Sequence, residues 1–216
     1  LPLTRLCFPQ DQRTSKHTEL LPLQPLHVSA LQDQQLIEYM NTKGFHYFNA
    51  VQTQVFHTLY HRQCNVLIGA PTGSGKTIMA ELAIFQTVRL GLKAVYLAPL
   101  RALVKERVSD WQQSLKWLRV VEMSGECSPT SKELQAANLI VSTPEKWDAV
   151  SRKWRADGDA SFFETIGLLI MDEVHLLGVA SRGPVLEAIV MRMRHIHSNL
   201  RIVALSTALA NAGDLA

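Results

Sequence analysis

The residues that most constrain this chain are Gly69-Ala70-Pro71-Thr72-Gly73-Ser74-Gly75-Lys76-Thr77, which follow directly on the apolar run Val66-Leu67-Ile68. The pattern predicts a buried strand that turns, through a glycine-rich loop, into a helix over 76–90. Gly73 and Gly75 let the backbone bend without Cβ clashes, so that successive N–H groups can converge on phosphate oxygens. Lys76 adds charge, Thr77 can set its hydroxyl on Mg²⁺, and the positive end of the helix dipole favours the same anion. A nucleoside triphosphate is the expected ligand. A plain Gly/Ser turn is the competing reading, and it leaves the Lys-Thr ending without a purpose.

A chain of 216 residues with 47% hydrophobic content can bury a full core and fits one α/β domain better than two. Its net charge of +3 neither supports nor excludes nucleic acid as a partner. Cys7, Cys64 and Cys127 lie far apart with no C-x-x-C spacing, which argues against a zinc site or a disulfide framework and suits a reducing compartment. No apolar run is long enough for a membrane span, and the N-terminus lacks the order of a signal peptide. The chain opens on Leu1 and stops at Ala216 in what reads as the start of a helix, so it is expected to be a piece of something longer.

Residues 1–30 carry Pro2, Pro9, Pro22 and Pro25 and no sustained period, and are read as an extended arm or linker ahead of a domain over 31–216. Leu31, Leu36, Ile37 and Met40 suit a short helix closed by Lys43-Gly44, and Val51, Val55, Phe56 and Leu59 mark a second. Beyond the loop, strands are predicted at 94–98, 120–123, 139–142, 168–171 and 202–205, with helices such as 100–115 and 185–195 between them. This rhythm predicts a mostly parallel sheet with helices on both faces.

In such a sheet ligands bind outside the carboxyl ends of the strands. Asp172-Glu173-Val174-His175 follows the buried run Leu168-Leu169-Ile170-Met171, where two adjacent acids are costly unless they hold a metal or a proton. Asp172 would bind Mg²⁺, and Glu173 would orient and deprotonate the water that attacks the terminal phosphate. Arg101 and Thr143, each at a strand-to-helix turn, offer a guanidinium, a hydroxyl and free N–H groups to a phosphate backbone.

The loop form Ala70-Pro71-Thr72-Gly73-Ser74-Gly75-Lys76-Thr77 has alanine where the commonest phosphate loops have glycine. Together with Asp-Glu-Val-His it resembles the first domain of superfamily 2 DExH helicases. That resemblance implies a RecA-like P-loop NTPase fold, ATP and Mg²⁺ as cofactors, and catalytic roles for Lys76, Asp172, Glu173 and His175. Ala98-Pro99-Leu100-Arg101 resembles motif Ia and Thr143-Pro144-Glu145-Lys146 motif Ib, which implies nucleic-acid contacts at Pro99, Arg101, Thr143, Pro144 and Lys146. Ser124-Gly125-Glu126 stands at a further backbone-contact turn, through Gly125. Ser206-Thr207-Ala208 occupies the place of motif III, which couples hydrolysis to strand binding, in a swapped order. Gln52 resembles the glutamine that reads adenine, with Gln54 as a possible substitute.

Asn49-Ala50-Val51-Gln52-Thr53-Gln54, Thr143-Pro144-Glu145-Lys146-Trp147-Asp148 and Arg182-Gly183-Pro184-Val185-Leu186-Glu187 resemble a narrower group, the large superkiller-like helicases with two cassettes. The group implies 3′-to-5′ translocation and unwinding, a second RecA-like domain supplying arginines, a neighbouring cassette, a multiprotein complex, and a nuclear or cytoplasmic setting. These residues alone are then expected to be nearly inactive. A hydrolysis-poor cassette serving as a regulatory platform and a meiotic-type DNA helicase are the alternatives. DNA and RNA are not distinguished, because the expected contacts go to phosphates and sugars.

The remaining rings are read as packing or surface residues. His17, His27, His46, His57, His61, His195 and His197 show no ligand spacing joined to acids, although His57 and His61 lie four apart on a helix. Trp111, Trp117, Trp147 and Trp154 follow helical apolar faces.

Overall fold

The computed structural model of the chain describes residues 23–153, 160–175 and 183–207. Its strands are β1 (Val66–Gly69), β2 (Lys93–Leu97), β3 (Val120–Met123), β4 (Leu139–Ser142), β5 (Ile166–Met171) and β6 (Arg201–Ser206). They form one sheet in the order β1-β6-β5-β2-β4-β3, with all five pairings parallel. Every expected strand is present within two residues of its predicted ends. A parallel strand buried on both faces is a short, nearly continuous apolar run, which is a signal that survives without context.

The helices are α1 (Gln34–Thr42), α2 (Ala50–His61), α3 (Lys76–Arg89), α4 (Arg101–Ser114), α5 (Ser131–Ala136), α6 (Pro144–Ser151), α7 (Ala160–Glu164) and α8 (Gly183–Ile196). Successive strand residues face opposite sides, so the sheet separates two cores. Ala94, Tyr96, Val141, Ile170 and Leu205 pack under α1, α2, α3 and α4. Val95, Leu97, Ile140, Leu169 and Met171 pack against Trp147 of α6, Phe162 and Phe163 of α7, and Ile189 of α8. Each fully buried aliphatic or aromatic side chain contributes about 1.5–3 kcal/mol of transfer free energy.

The described part of the expected arm is docked on the domain. Leu26 accepts from the Phe48 N–H at 2.9 Å, Val28 donates to His46 at 2.9 Å, and a short 3₁₀ turn at Val28–Ala30 places Val28 in the core at 1% exposure. Residues 1–22 of the arm lie outside the described residues, as do His17, Trp154, Arg182, Ala208 and the helix expected near the end. Trp111 and Trp147 are fully buried, whereas Trp117 is partly exposed against Phe85. The His57 and His61 rings lie 5.5 Å apart, and no group of three possible metal ligands occurs among the described residues.

A guanidinium at the base of β6 ties the sheet to α2. Arg201, 1% exposed, donates from Nε to the Cys64 carbonyl, from Nη1 to Leu59 and from Nη2 to Thr58, each at 3.0 Å, and from Nη1 to Gln86 Oε1. The last carbonyls of α2 carry the negative end of its dipole and replace a carboxylate as the partner. Burial lowers the Arg201 guanidinium to about 10.

Candidate functional site

The carboxyl ends of β1, β6 and β5 stand side by side and carry the phosphate loop, Ser206-Thr207 and the acid pair. β1 ends at Gly69, and Ala70, 2% exposed, donates its N–H to the Ser206 carbonyl at 3.0 Å, so the loop starts tied to β6. Pro71 and Thr72 are exposed before the chain turns through Gly73 and Gly75, both at φ +80°. Gly75 is the N-cap of α3, and a Cβ there would run into the Gln52 amide. Lys76 donates from Nζ to the carbonyls of Ala70 at 2.9 Å and Pro71 at 3.2 Å, which places its ammonium in the mouth of the loop. Ser74 Oγ is buried with no hydrogen-bond partner. Two left-handed glycines, an ammonium, an orphaned hydroxyl and a helix start fit a polyphosphate.

The acid pair is held by its neighbours. Asp172 donates its N–H to Leu97 at 2.9 Å, and its carboxylate accepts from Tyr96 Oη at 2.5 Å and from the Glu173 N–H at 3.0 Å. Burial, with the Asp172 charge beside it, pushes the Tyr96 hydroxyl far up, so that it stays a donor. Glu173 sits at φ 55°, a left-handed conformation that costs a non-glycine residue about 1–3 kcal/mol and recurs at functional sites. Its Oε2 is buried without a hydrogen bond, 3.2 Å from His175 Nδ1. The same nitrogen lies 3.4 Å from Ser206 Oγ and 3.3 Å from Thr207 Oγ1, so the swapped order of these two residues still brings both hydroxyls to His175. Asp172 carboxylate and Thr77 hydroxyl are the hard oxygen donors that Mg²⁺ prefers, and they fit that ion.

Gln52 meets the loop from α2. It is 2% exposed; Oε1 accepts from the Asn49 N–H at 2.9 Å, completing a capping box, and Nε2 points to the Gly75 carbonyl at 3.4 Å. Asn49 Nδ2 donates to the Ser74 carbonyl at 2.9 Å, a second clasp on the loop. The glutamine therefore sits against the phosphate loop with its oxygen already engaged, and Gln54 is half-buried on the same helix.

The ends of β2, β4 and β3 form the other half of the edge. Pro99, Arg101, Gly125, Thr143 and Lys146 line one crevice, so five of the six expected strand contacts converge. The sixth, Pro144, is buried as the first residue of α6, where Thr143 caps the helix by accepting from the Lys146 N–H at 3.4 Å. The Arg101 guanidinium packs over Gly125 and lies 3.9 Å from Glu126, which accepts from Lys105 at 2.7 Å. Lys105 holds the exposed Glu126 carboxyl below its usual value. Lys146 Nζ reaches Ser128 Oγ at 2.7 Å.

Sequence reasoning missed the supports of both halves. Tyr96 read as one residue of a strand, and Asp148 as part of a motif. Asp148, 5% exposed, accepts from Arg152 at 2.5 Å and from Arg192 of α8 at 2.8 Å, which locks α6 to α8. Burial opposes its ionisation, but hydrogen bonds and charge from the two arginines outweigh it and hold the carboxyl low. The Asp148 to Arg152 spacing of four on a helix was the one local signal for this pair.

The chain is similar to known proteins along almost all its length. The description of the DEAD/DEAH box helicase family matches residues 49–215. Activating signal cointegrator 1 complex subunit 3 of Rattus norvegicus is 53% identical over 214 residues, 95% of this chain and 9% of that protein. DExH-box ATP-dependent RNA helicase DExH14 of Arabidopsis thaliana is 51% identical over 215 residues, 95% of this chain and 10% of that protein. The chain thus spans about a tenth of the length of these relatives. In structure, the DEAD-box helicase Mss116 bound to ssRNA and UDP-BeF superposes with a TM-score of 0.76 at 21% identity, over 90% of this chain and 43% of that one. The DUF1998 helicase MrfA bound to DNA and AMPPNP gives 0.73 at 19% identity, over 89% of this chain and 29% of that one. These two show the RecA-like helicase fold. With its Asp-Glu-Val-His box and the helicase match over residues 49–215, the chain belongs to the DEAD/DEAH box helicase family and is the ATP-binding domain of a DExH helicase.

Proposed function

We propose that this domain is one half of an ATP-driven nucleic-acid motor, in which ATP hydrolysis drives 3′-to-5′ strand translocation and unwinding once a second RecA-like domain closes on it. The observation that carries the reading is the order along the sheet edge. Phosphate loop, Ser206-Thr207 and Asp172-Glu173-His175 occupy neighbouring strand ends, and the crevice of Arg101, Thr143 and Lys146 continues the same edge.

Each residue then has a task. The loop N–H groups and Lys76 bind and orient the β- and γ-phosphates. Thr77 and Asp172 would hold Mg²⁺, which when bound neutralises charge on those oxygens. Glu173 orients the attacking water and accepts its proton, its buried Oε2 having no hydrogen bond and only the His175 ring nitrogen beside it at 3.2 Å. His175 touches both Glu173 and the hydroxyls of Ser206 and Thr207, so it can report the state of the nucleotide to β6. Gln52 meets the loop and is the adenine-reading candidate. Arg101, Gly125, Thr143, Pro144 and Lys146, with Pro99, track the phosphates of a DNA or RNA strand. Hydrolysis also draws on arginines that a second RecA-like domain of the whole protein would supply. A neighbouring cassette and a multiprotein complex are the expected partners in the whole protein, within the nucleus or cytoplasm. The division into an arm over 1–30 and a domain over 31–216 belongs to the same reading.

The test is polynucleotide-stimulated ATP turnover in a chain extended through the second RecA-like domain. Glu173→Gln should remove turnover while keeping ATP binding. Wild-type turnover in that variant would overturn the assignment, and tight ATP binding without turnover in the unaltered cassette would favour the regulatory platform.

A further inference from the structure

We propose that Tyr96 is a positioning residue for Asp172, orienting its carboxylate for Mg²⁺ through a buried polar chain that ends on the helix carrying Thr77. The inference rests on the reading of Asp172 as a metal ligand and adds the group that aims it.

Tyr96 is the one hydroxyl-bearing residue of the strand Lys93-Ala94-Val95-Tyr96-Leu97, and it is 1% exposed. A buried tyrosine hydroxyl needs a partner, and this one finds it 2.5 Å away in Asp172 Oδ2, across from β2 to the end of β5. The second oxygen, Oδ1, accepts from the Glu173 N–H at 3.0 Å. Each carboxylate oxygen thus has one fixed donor, and any rotation of the side chain breaks one of the two bonds.

The tyrosine is itself held. Its ring stands edge-on to Trp111, with centroids 5.0 Å apart and planes at 84°, and Trp111 is fully buried. Trp111 Nε1 donates to Glu81 Oε1 at 2.8 Å, and Glu81 has no exposed surface. Glu81 lies four residues after Thr77 on α3, one turn along the same face. Asp172, Tyr96, Trp111 and Glu81 therefore link the two elements that bear the candidate Mg²⁺ ligands, with a hydrogen bond or ring contact at every step. A tyrosine serving only to fill the core would need no hydroxyl at this place, since phenylalanine occupies nearly the same volume.

The experiment is a Mg²⁺ titration of binding of a fluorescent ATP analogue to the cassette that includes the second domain, comparing wild type, Tyr96→Phe and Asp172→Asn. Loss of such an outer partner weakens metal binding by about 10–100-fold. Tyr96→Phe should raise the half-saturating Mg²⁺ concentration by about 10-fold, a larger change than in metal-free nucleotide affinity, with Asp172→Asn shifting it at least as far. If Asp172→Asn shifts the Mg²⁺ dependence and Tyr96→Phe does not, the positioning role is overturned while the ligand assignment stands. If Asp172→Asn leaves it unchanged, the ligand assignment fails and the proposal with it. If Tyr96→Phe lowers the melting temperature and metal-free affinity as much as Mg²⁺ affinity, the hydroxyl serves packing alone and the proposal is likewise overturned.

Discussion

Around the phosphate loop, position is set largely by backbone and buried partners; along the crevice of β2, β4 and β3 the charged side chains Arg101 and Lys105 reach into solvent, while Thr143 and Pro144 stay buried at the start of α6. Gly73, Gly75 and Glu173 all have positive φ, and the buried Gln52 and Tyr96, joined by the exposed Asn49, clasp the loop and the acid pair. Arg101 and Lys105, by contrast, have 62% and 56% of their side-chain surface exposed and pair with the similarly exposed Glu126. On the proposed reading, the difference follows from the two tasks. Phosphoryl transfer is accelerated by groups fixed before the reaction begins. A strand that must be gripped and released at every step needs contacts to a uniform phosphate backbone that cost little to break.

The largest effect is expected from the chemistry of the rigid half. Glu173→Gln in the extended cassette should lower kcat for ATP by about 10²–10⁴-fold at saturating polynucleotide, measured by phosphate release. A matched pair of glycines sharpens the contrast. A Cβ at Gly75 meets the Gln52 amide, and one at Gly125 meets the Arg101 guanidinium. Gly75 also has φ +80° and a buried obstacle, so Gly75→Ala should weaken nucleotide binding by about 10–100-fold. Arg101 is a long, exposed side chain with room to turn aside, so Gly125→Ala should change polynucleotide affinity by no more than about threefold at unchanged nucleotide affinity. Equal losses in the two variants would break the comparison.

Beneath the exposed half lies one rigid support, the Asp148 pair with Arg192. Asp148→Asn should cost about 1.5–3 kcal/mol of stability near neutral pH, seen by denaturant unfolding. Because the arginines depress the folded carboxyl, its contribution is complete above the ordinary carboxylate value and is lost as pH falls through the depressed one. The gap between wild type and variant should therefore shrink below about pH 4. Smaller still, Glu126→Gln frees Arg101 and Lys105 and should tighten polynucleotide binding by about two- to threefold at low salt.

The rigid half was legible in the sequence because its constraints are local. Glycines at fixed offsets, a lysine and threonine opening a helix, and two acids closing an apolar run each carry meaning within a few residues. The six strands were legible for the same reason. Their supports were not. Arg201 meets carbonyls at Thr58 and Leu59, and Tyr96 meets Asp172, at separations that leave no mark on local pattern. The short helices α5, α6 and α7 are too brief to show a period, although Thr130 with Glu133 forms a capping box and Thr143-Pro144 is a cap followed by proline, both readable as helix starts. Val28 read as part of an extended arm because a three-residue buried 3₁₀ turn just after Pro22 and Pro25 has no periodic signature.

The division of the edge is tested most directly by titrating polynucleotide against ATP turnover in the extended cassette, for wild type and Arg101→Ala. Removing one exposed phosphate contact should raise the half-stimulating polynucleotide concentration by about 5–10-fold and reduce the salt slope by about one. An unchanged half-stimulating concentration, with the whole loss falling on kcat, would place Arg101 in the nucleotide half and contradict the account.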